Sequence, residues 1–136
     1  MNYYAILKNK LDEKELPYSE LKDGVLEINQ KGKKNAPNIR LVIGFDDPES
    51  CRPWIKCYDL GHFEGDKYAA GLLACNNANK QYRWVRFYMD GDNDVVAAMD
   101  AIVSSETVFD EMIELIVRML QIIDDLYPEF MRARWG

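Results

Sequence analysis

Side chains able to do chemistry are few in this sequence, and they are scattered. The one histidine, His62, stands in Gly61-His62-Phe63-Glu64-Gly65-Asp66, with Glu64 and Asp66 spaced to orient an imidazole. A small acid-base activity around His62, Glu64 and Asp66 is therefore the catalytic alternative. No nucleophile or second histidine stands beside it, so a loop histidine preceding a helix is the preferred reading. Ser50 and Ser105 lack a Gly-x-Ser-x-Gly context, and Gly61 and Gly65 do not form a dinucleotide fingerprint. Cys51 and Cys57 have five residues between them, which is not the Cys-x-x-Cys spacing of redox or zinc sites. Asp90-Gly91-Asp92-Asn93-Asp94 begins like a calcium loop but has Val95 where the glycine belongs and Ala101 where the bidentate acid belongs. It reads as a hairpin turn. No catalytic, cofactor-binding or metal-ligating residue is assigned, and no cofactor is expected.

Aromatic and basic side chains suited to recognition are more evident. Trp54 and Tyr58 alternate along one predicted strand, and Trp84, Arg86 and Tyr88 along another. Aromatic anchors of this kind suit a protein or peptide partner. Interleaved aromatic and basic residues also occur in RNA-stacking strands, but the chain carries 17 basic against 23 acidic residues, a net charge of −6. Lys31, Lys33, Lys34 and Arg40 form the nearest basic cluster, in a stretch that reads as a solvated turn. Nucleic acid is not expected as a partner.

The elements that must position these residues follow from periodicity. Tyr3, Ile6, Leu7 and Leu11 mark an amphipathic first helix, stopped by Pro17. Leu26 and Ile28 alternate in a short strand that breaks at Lys31-Gly32-Lys33. Ile39, Leu41, Ile43 and Phe45 form the best central strand, and Pro53 to Tyr58 a third. Asp66 is placed to cap a second helix carrying Tyr68, Leu72 and Leu73 on its apolar face. Asn76 and Asn79 near its end are expected to bond backbone where the helix hands over to the next strand. Trp84 to Met89 and Val95 to Val103 flank the polar turn as two more strands. A last helix starts after Ser104, Ser105 and Thr107 and runs to about Tyr127, where Pro128 ends or kinks it. The order is α-β-β-β-α-β-β-α, an α+β class with helices packed on an antiparallel sheet. Residues 1–136 read as a single domain, large enough to bury roughly two thirds of its unfolded surface.

The terminal helix has an unusually wide apolar surface. Phe109, Met112, Ile116, Met119, Ile123 and Tyr127 make one stripe, and Leu115, Ile122 and Leu126 add a second flank, either embedded in the monomer or forming a homodimer seam. Glu114, Arg118 and Gln121 interrupt its longest apolar run, short of the ~18 residues a membrane span needs. With an odd number of cysteines and no basic start followed by an apolar run, the expected compartment is the cytoplasm.

Taken in order, the helix ending Leu72-Leu73-Ala74-Cys75-Asn76-Asn77-Ala78-Asn79, the strand Phe87-Tyr88-Met89-Asp90, the acidic turn, Val95-Val96 and Leu126-Tyr127-Pro128 resemble the YbjN-like domain family. The resemblance covers about residues 66 to 130 and extends to the N-terminal part by element order alone. It implies the fold of type III secretion chaperones, no enzymatic activity, and a bacterial role in binding proteins or regulating sensory responses. Chaperones of that fold act as dimers that hold an extended client. The expected function is thus a non-catalytic domain holding a partner polypeptide. The alternative is a small-molecule sensor with an apolar cavity between sheet and last helix, lined by Met112, Met119 and Phe87.

Overall fold

Asn2 opens the first helix by accepting the N–H of Ala5 on its side-chain oxygen at 2.8 Å. In this computed structural model, which describes residues 1–136, α1 (Tyr3–Glu13) buries Tyr4, Leu7 and Leu11. Tyr4, one position after the expected Tyr3, faces inward because it lies three residues before Leu7. Its hydroxyl donates to Glu20 at 2.9 Å, and burial with that carboxylate beside it pushes its pKa well above the ordinary tyrosine value.

Six antiparallel strands follow the order β1-β2-β3-β4-β6-β5: β1 (Ser19–Lys22), β2 (Val25–Gln30), β3 (Ile39–Gly44), β4 (Trp54–Cys57), β5 (Arg86–Met89) and β6 (Val95–Asp100). β1 is one strand more than periodicity predicts; all four of its residues are exposed. Leu26, Ile43, Ile55 and Met99 stand in register across four strands, as do Ile28, Leu41, Cys57, Ala97 and Phe87 across five. With the exception of the half-buried Ile28, these residues join Tyr4, Leu7 and Leu11 of α1 and the buried residues of α2 and α3 in one apolar core. The helices therefore cover one face of the sheet, and the alternate rows occupy the other.

Contrary to expectation, α2 (Tyr68–Gln81) buries Gly71, Cys75 and Ala78, leaving Tyr68, Leu72 and Leu73 exposed. Small residues let the helix approach closely: a Cβ on Gly71 would come within 2.7 Å of the Phe63 ring. Asp66 does not cap it. The chain enters through a 3-10 turn at Gly65–Lys67, in which the N–H of Lys67 is satisfied by the Glu64 carbonyl.

Ser104 and Thr107 exchange hydroxyl-to-backbone bonds at 3.2 Å, closing the entry to α3 (Val108–Trp135). Rather than ending at Tyr127, α3 continues through Pro128. Proline has no N–H to give the Asp124 carbonyl four residues back, and the Asn35 amide donates to that carbonyl at 3.0 Å instead. The Asp124 carboxylate, buried on α3, accepts the backbone N–H groups of Lys34, Asn35 and Ala36 at 2.7–2.9 Å. Burial alone would raise its pKa, but bonds from successive backbone N–H groups outweigh this and hold the carboxyl below its ordinary value. The lysine-bearing turn is thus clamped to α3 through Asp124. Gly32 is required there, since a Cβ would fall 2.2 Å from the Asp124 carboxylate.

Ile122 and Leu126 are buried within this chain's own core and Leu115 is half-buried against it. The flank expected at a subunit seam is packed inside the monomer, because α3 lies between the sheet, α1 and α2 and is apolar on both sides for that reason. No helix is long and apolar enough to cross a membrane.

Candidate functional site

The helix-free face of the sheet is built from the residues that alternate with the core rows. Glu27, Val42, Lys56, Ala98 and Arg86 stand in register across β2, β3, β4, β6 and β5. On either side lie the Gly44, Trp54, Asp100 row and the Val96, Tyr88 pair. Val42, Val96 and Ala98 are buried yet lie outside the main core. They form a second apolar floor, covered by the long side chains around them.

Each wall side chain has a defined support. The Trp54 indole lies over Gly44, where a Cβ would come within 2.1 Å of the ring, and its Nε1 donates to Asp46 at 2.8 Å. Lys56 Nζ sits 4.8 Å from the Trp54 ring centroid. Arg86 lies 6.0 Å from the Tyr88 ring and pairs with Asp100. Arg40 pairs with Glu27. Two cations resting on aromatic rings therefore flank Ala98 on neighbouring strands. Tyr58, just past β4, and Tyr88 are 43% and 37% exposed, which leaves both rings free to contact a partner.

Four of the five aromatic and basic candidates, Trp54, Tyr58, Arg86 and Tyr88, are thus placed by β4 and β5, on opposite sides of β6. Trp84 does not join them. It stands before β5 with a left-handed backbone, φ 79°, and 69% exposed, because Arg83-Trp84 turns the chain out of α2 before the strand begins. Lys56, not singled out in the sequence, completes the face; its parity with Trp54 and Tyr58 is the signal. Asp124 and Asn35 were not legible as a pair, although an acid four residues after Leu120 and three before Tyr127 interrupts the apolar stripe.

The edges of the sheet differ from its face. Asn79 reaches from α2 to β5, donating to the Phe87 carbonyl at 3.0 Å and accepting its N–H at 2.8 Å. This occupies the outward backbone pair of a four-residue edge strand. Asn76, expected to act similarly, is exposed and makes no such bond. β1, at the other edge, carries a register irregularity between Glu20 and Lys22.

The remaining sequence candidates are accounted for locally. His62 bonds Asp94 through Nδ1 at 2.9 Å and Glu64 through Nε2 at 3.3 Å, and these carboxylates raise its pKa. Asp66 is not a partner. The trio ties the segment before α2 to the start of β6, where His62 and Asp94 also form a β-bridge. Asp90 spends its carboxylate on the N–H groups of Asp92 and Asp94, and Asn93 takes the left-handed position, as a hairpin turn requires. Burial pushes the Cys57 thiol up to about 12 and Cys75 up to about 11, far from a reactive thiolate. Met112, Met119 and Phe87 are packed in the core, Phe87 stacking on Phe130 at 6.1 Å, so the apolar cavity expected between sheet and α3 is filled by side chains.

The model of one protein family, YbjN, described as "Putative bacterial sensory transduction regulator", matches residues 63–132, just over half of the chain. The chain belongs to the YbjN family. No curated protein matches the sequence. The YbjN match runs from Phe63 through α2, β5 and β6 into the last turns of α3, and so includes Arg86, Tyr88, Asn79, Asp124 and Pro128. Trp54, Lys56, Tyr58 and Asn35 lie outside the YbjN span.

Proposed function

We propose that this YbjN domain is a non-catalytic regulatory module that holds a partner polypeptide on the open face of its sheet, in the bacterial cytoplasm. The observation that carries this is the helix-free face itself. Trp54, Tyr58 and Tyr88, with Lys56 and Arg86, wall a dry floor of Val42, Val96 and Ala98. Rigid aromatics beside an apolar floor are what a peptide's side chains need for anchoring. Strand addition is the less favoured mode, since Asn79 occupies the β5 edge and β1 is short and irregular. A sheet with helices on one side accords with a chaperone-like grip on an extended client. Three free cysteines, two of them buried, accord with a reducing compartment.

The test replaces Tyr58 and Tyr88 together with lysine. Both rings are exposed, so the thermal midpoint is expected to stay near that of the parent; a partner protein is expected to co-purify stoichiometrically with the parent and to be lost from the variant. Retention of that partner at unchanged stoichiometry would place binding elsewhere.

A further inference from the structure

We infer that the cleft between the lysine-bearing turn and α3 is a binding site for a small amphiphilic anion, an apolar ring or short acyl chain carrying one carboxylate, sulfonate or phosphate group. The turn joins β2 to β3 and is fastened to α3, on the helix-covered side of the sheet. Between them lies a cleft of about 370 Å³, with Lys31, Lys33 and Lys34 along one side and Val117 and Leu120 along the other. Small-molecule sites start at roughly 300 Å³, so the cleft has room for one such molecule but not for a run of peptide. It is distinct from the space between sheet and α3, which core side chains fill. It uses none of the residues of the open sheet face, so the two assignments are tested separately.

The identity of the occupant comes from two unlike walls. Lys31 and Lys33 make no ion pair within the chain. Lys34 reaches only Asp125, at 3.9 Å, with 74% of its side chain exposed. Asp124 also borders the cleft, but both of its carboxylate oxygens are taken by N–H groups of the turn. The uncommitted charge at the cleft is therefore positive, in a chain whose net charge is −6. A cleft with low-dielectric walls focuses the field of such charges on an incoming anion. The opposite wall adds the second requirement. Of the large hydrophobic residues of α3, only Val117 and the terminal Trp135 are exposed. Val117, half-buried Leu120 and the edge of Ile39 make an apolar surface facing the lysines across the cleft. A headgroup held by Lys31 and Lys33 sets an apolar body against that surface and removes both from water.

The turn is in place before any ligand arrives. Asp124 and Asn35 tie it to α3, and within it the Gly32 N–H donates to the Ala36 carbonyl at 2.9 Å. Little backbone remains to be ordered on binding. The long, flexible lysine stems let the ammonium groups adapt to the headgroup.

The test titrates the full chain with anilinonaphthalene sulfonate, whose rings and single sulfonate match the two walls. Dye fluorescence reads affinity, and backbone amide shifts in NMR spectra read position. Saturable binding is expected, with shifts confined to residues 30–39 and 117–125. Lys31→Glu with Lys33→Glu should weaken the dye by roughly tenfold, and so should Val117→Asp, both with unchanged circular-dichroism spectra because these positions are exposed. The same charge change at Lys10 and Lys14, which do not line the cleft, should leave the affinity unaltered. Inorganic phosphate, compared with sodium chloride at equal ionic strength, should not displace the dye, since it has no apolar body. Absence of saturable binding up to millimolar dye overturns the inference, as do shifts that map elsewhere, an equal loss from the Lys10 and Lys14 changes, or displacement by phosphate.

Discussion

The side-chain amide of Asn35 donates to the Asp124 carbonyl at 3.0 Å, taking the bond that Pro128 cannot make. Proline inside a helix ordinarily costs about 3 kcal/mol, and here the freed acceptor is used to fix a loop eighty-nine positions away in the chain. Asn35→Ala should therefore destabilise the fold by about 1 kcal/mol. In a Pro128→Ala background, position 128 regains its N–H, and Asn35→Ala should cost less, with a coupling of about 0.5–1 kcal/mol. Urea titrations of the four proteins measure this cycle. Equal costs in both backgrounds would mean that the amide contributes independently of the proline.

Asp124 itself gives a pH signature. Its carboxyl is held below the ordinary value in the folded protein, so its contribution is present above the unfolded-state pKa, about 4, and fades as pH falls through the lower folded value. Asp124→Asn should cost about 2 kcal/mol at neutral pH, by weakening several bonds to backbone N–H groups. The gap between the two proteins should close as the solution is acidified. Thermal midpoints from neutral pH downward supply the measurement, and a gap constant across the acid range would contradict the assignment.

His62 should give the opposite slope. Bonds to Asp94 first, and then Glu64, raise its pKa above 6.5 in the folded state. The stability it adds is complete below 6.5 and is lost as pH rises through the raised folded value. Asp94→Asn should flatten that dependence. Imidazole proton shifts followed by NMR through the neutral range should place the His62 midpoint above that of the Asp94→Asn protein.

Asn79 closes the β5 edge, and removing it has two expected effects. Asn79→Ala should cost about 1–2 kcal/mol, since the Phe87 N–H and carbonyl lose their partner. It should also raise the rate of aggregation on storage, because an opened edge invites strand pairing. Denaturant midpoints and light scattering report the two effects separately.

How much of this was legible in sequence depended on the kind of signal. Ile39, Leu41, Ile43 and Phe45 alternate strongly because they face the helix-covered core while the residues between them face the other side of the sheet, and the strand falls where period two puts it. β1 has no such signal: its four residues are all exposed, and it exists through pairing with β2. The face of α2 was hidden because large apolar residues attract attention, while packing used Gly71, Cys75 and Ala78 for close approach. Trp54, Tyr58, Arg86 and Tyr88 were legible by parity within each strand. That they share one face depended on β6 pairing between β4 and β5, which is long-range information. The Asp124 clamp required a turn and a helix far apart in sequence, and its only local trace was an acid in an apolar stripe.

The measurement that bears most directly on the account is site-specific photo-crosslinking in cells. A benzophenone amino acid at Tyr88, on the open sheet face, is compared with one at Glu111, on the exposed side of α3. A partner band that appears from position 88, is absent from position 111, and disappears when Tyr58 is also changed to lysine is the predicted result. Equal labelling from both positions, or labelling from position 111 alone, would contradict a docking site on the open face.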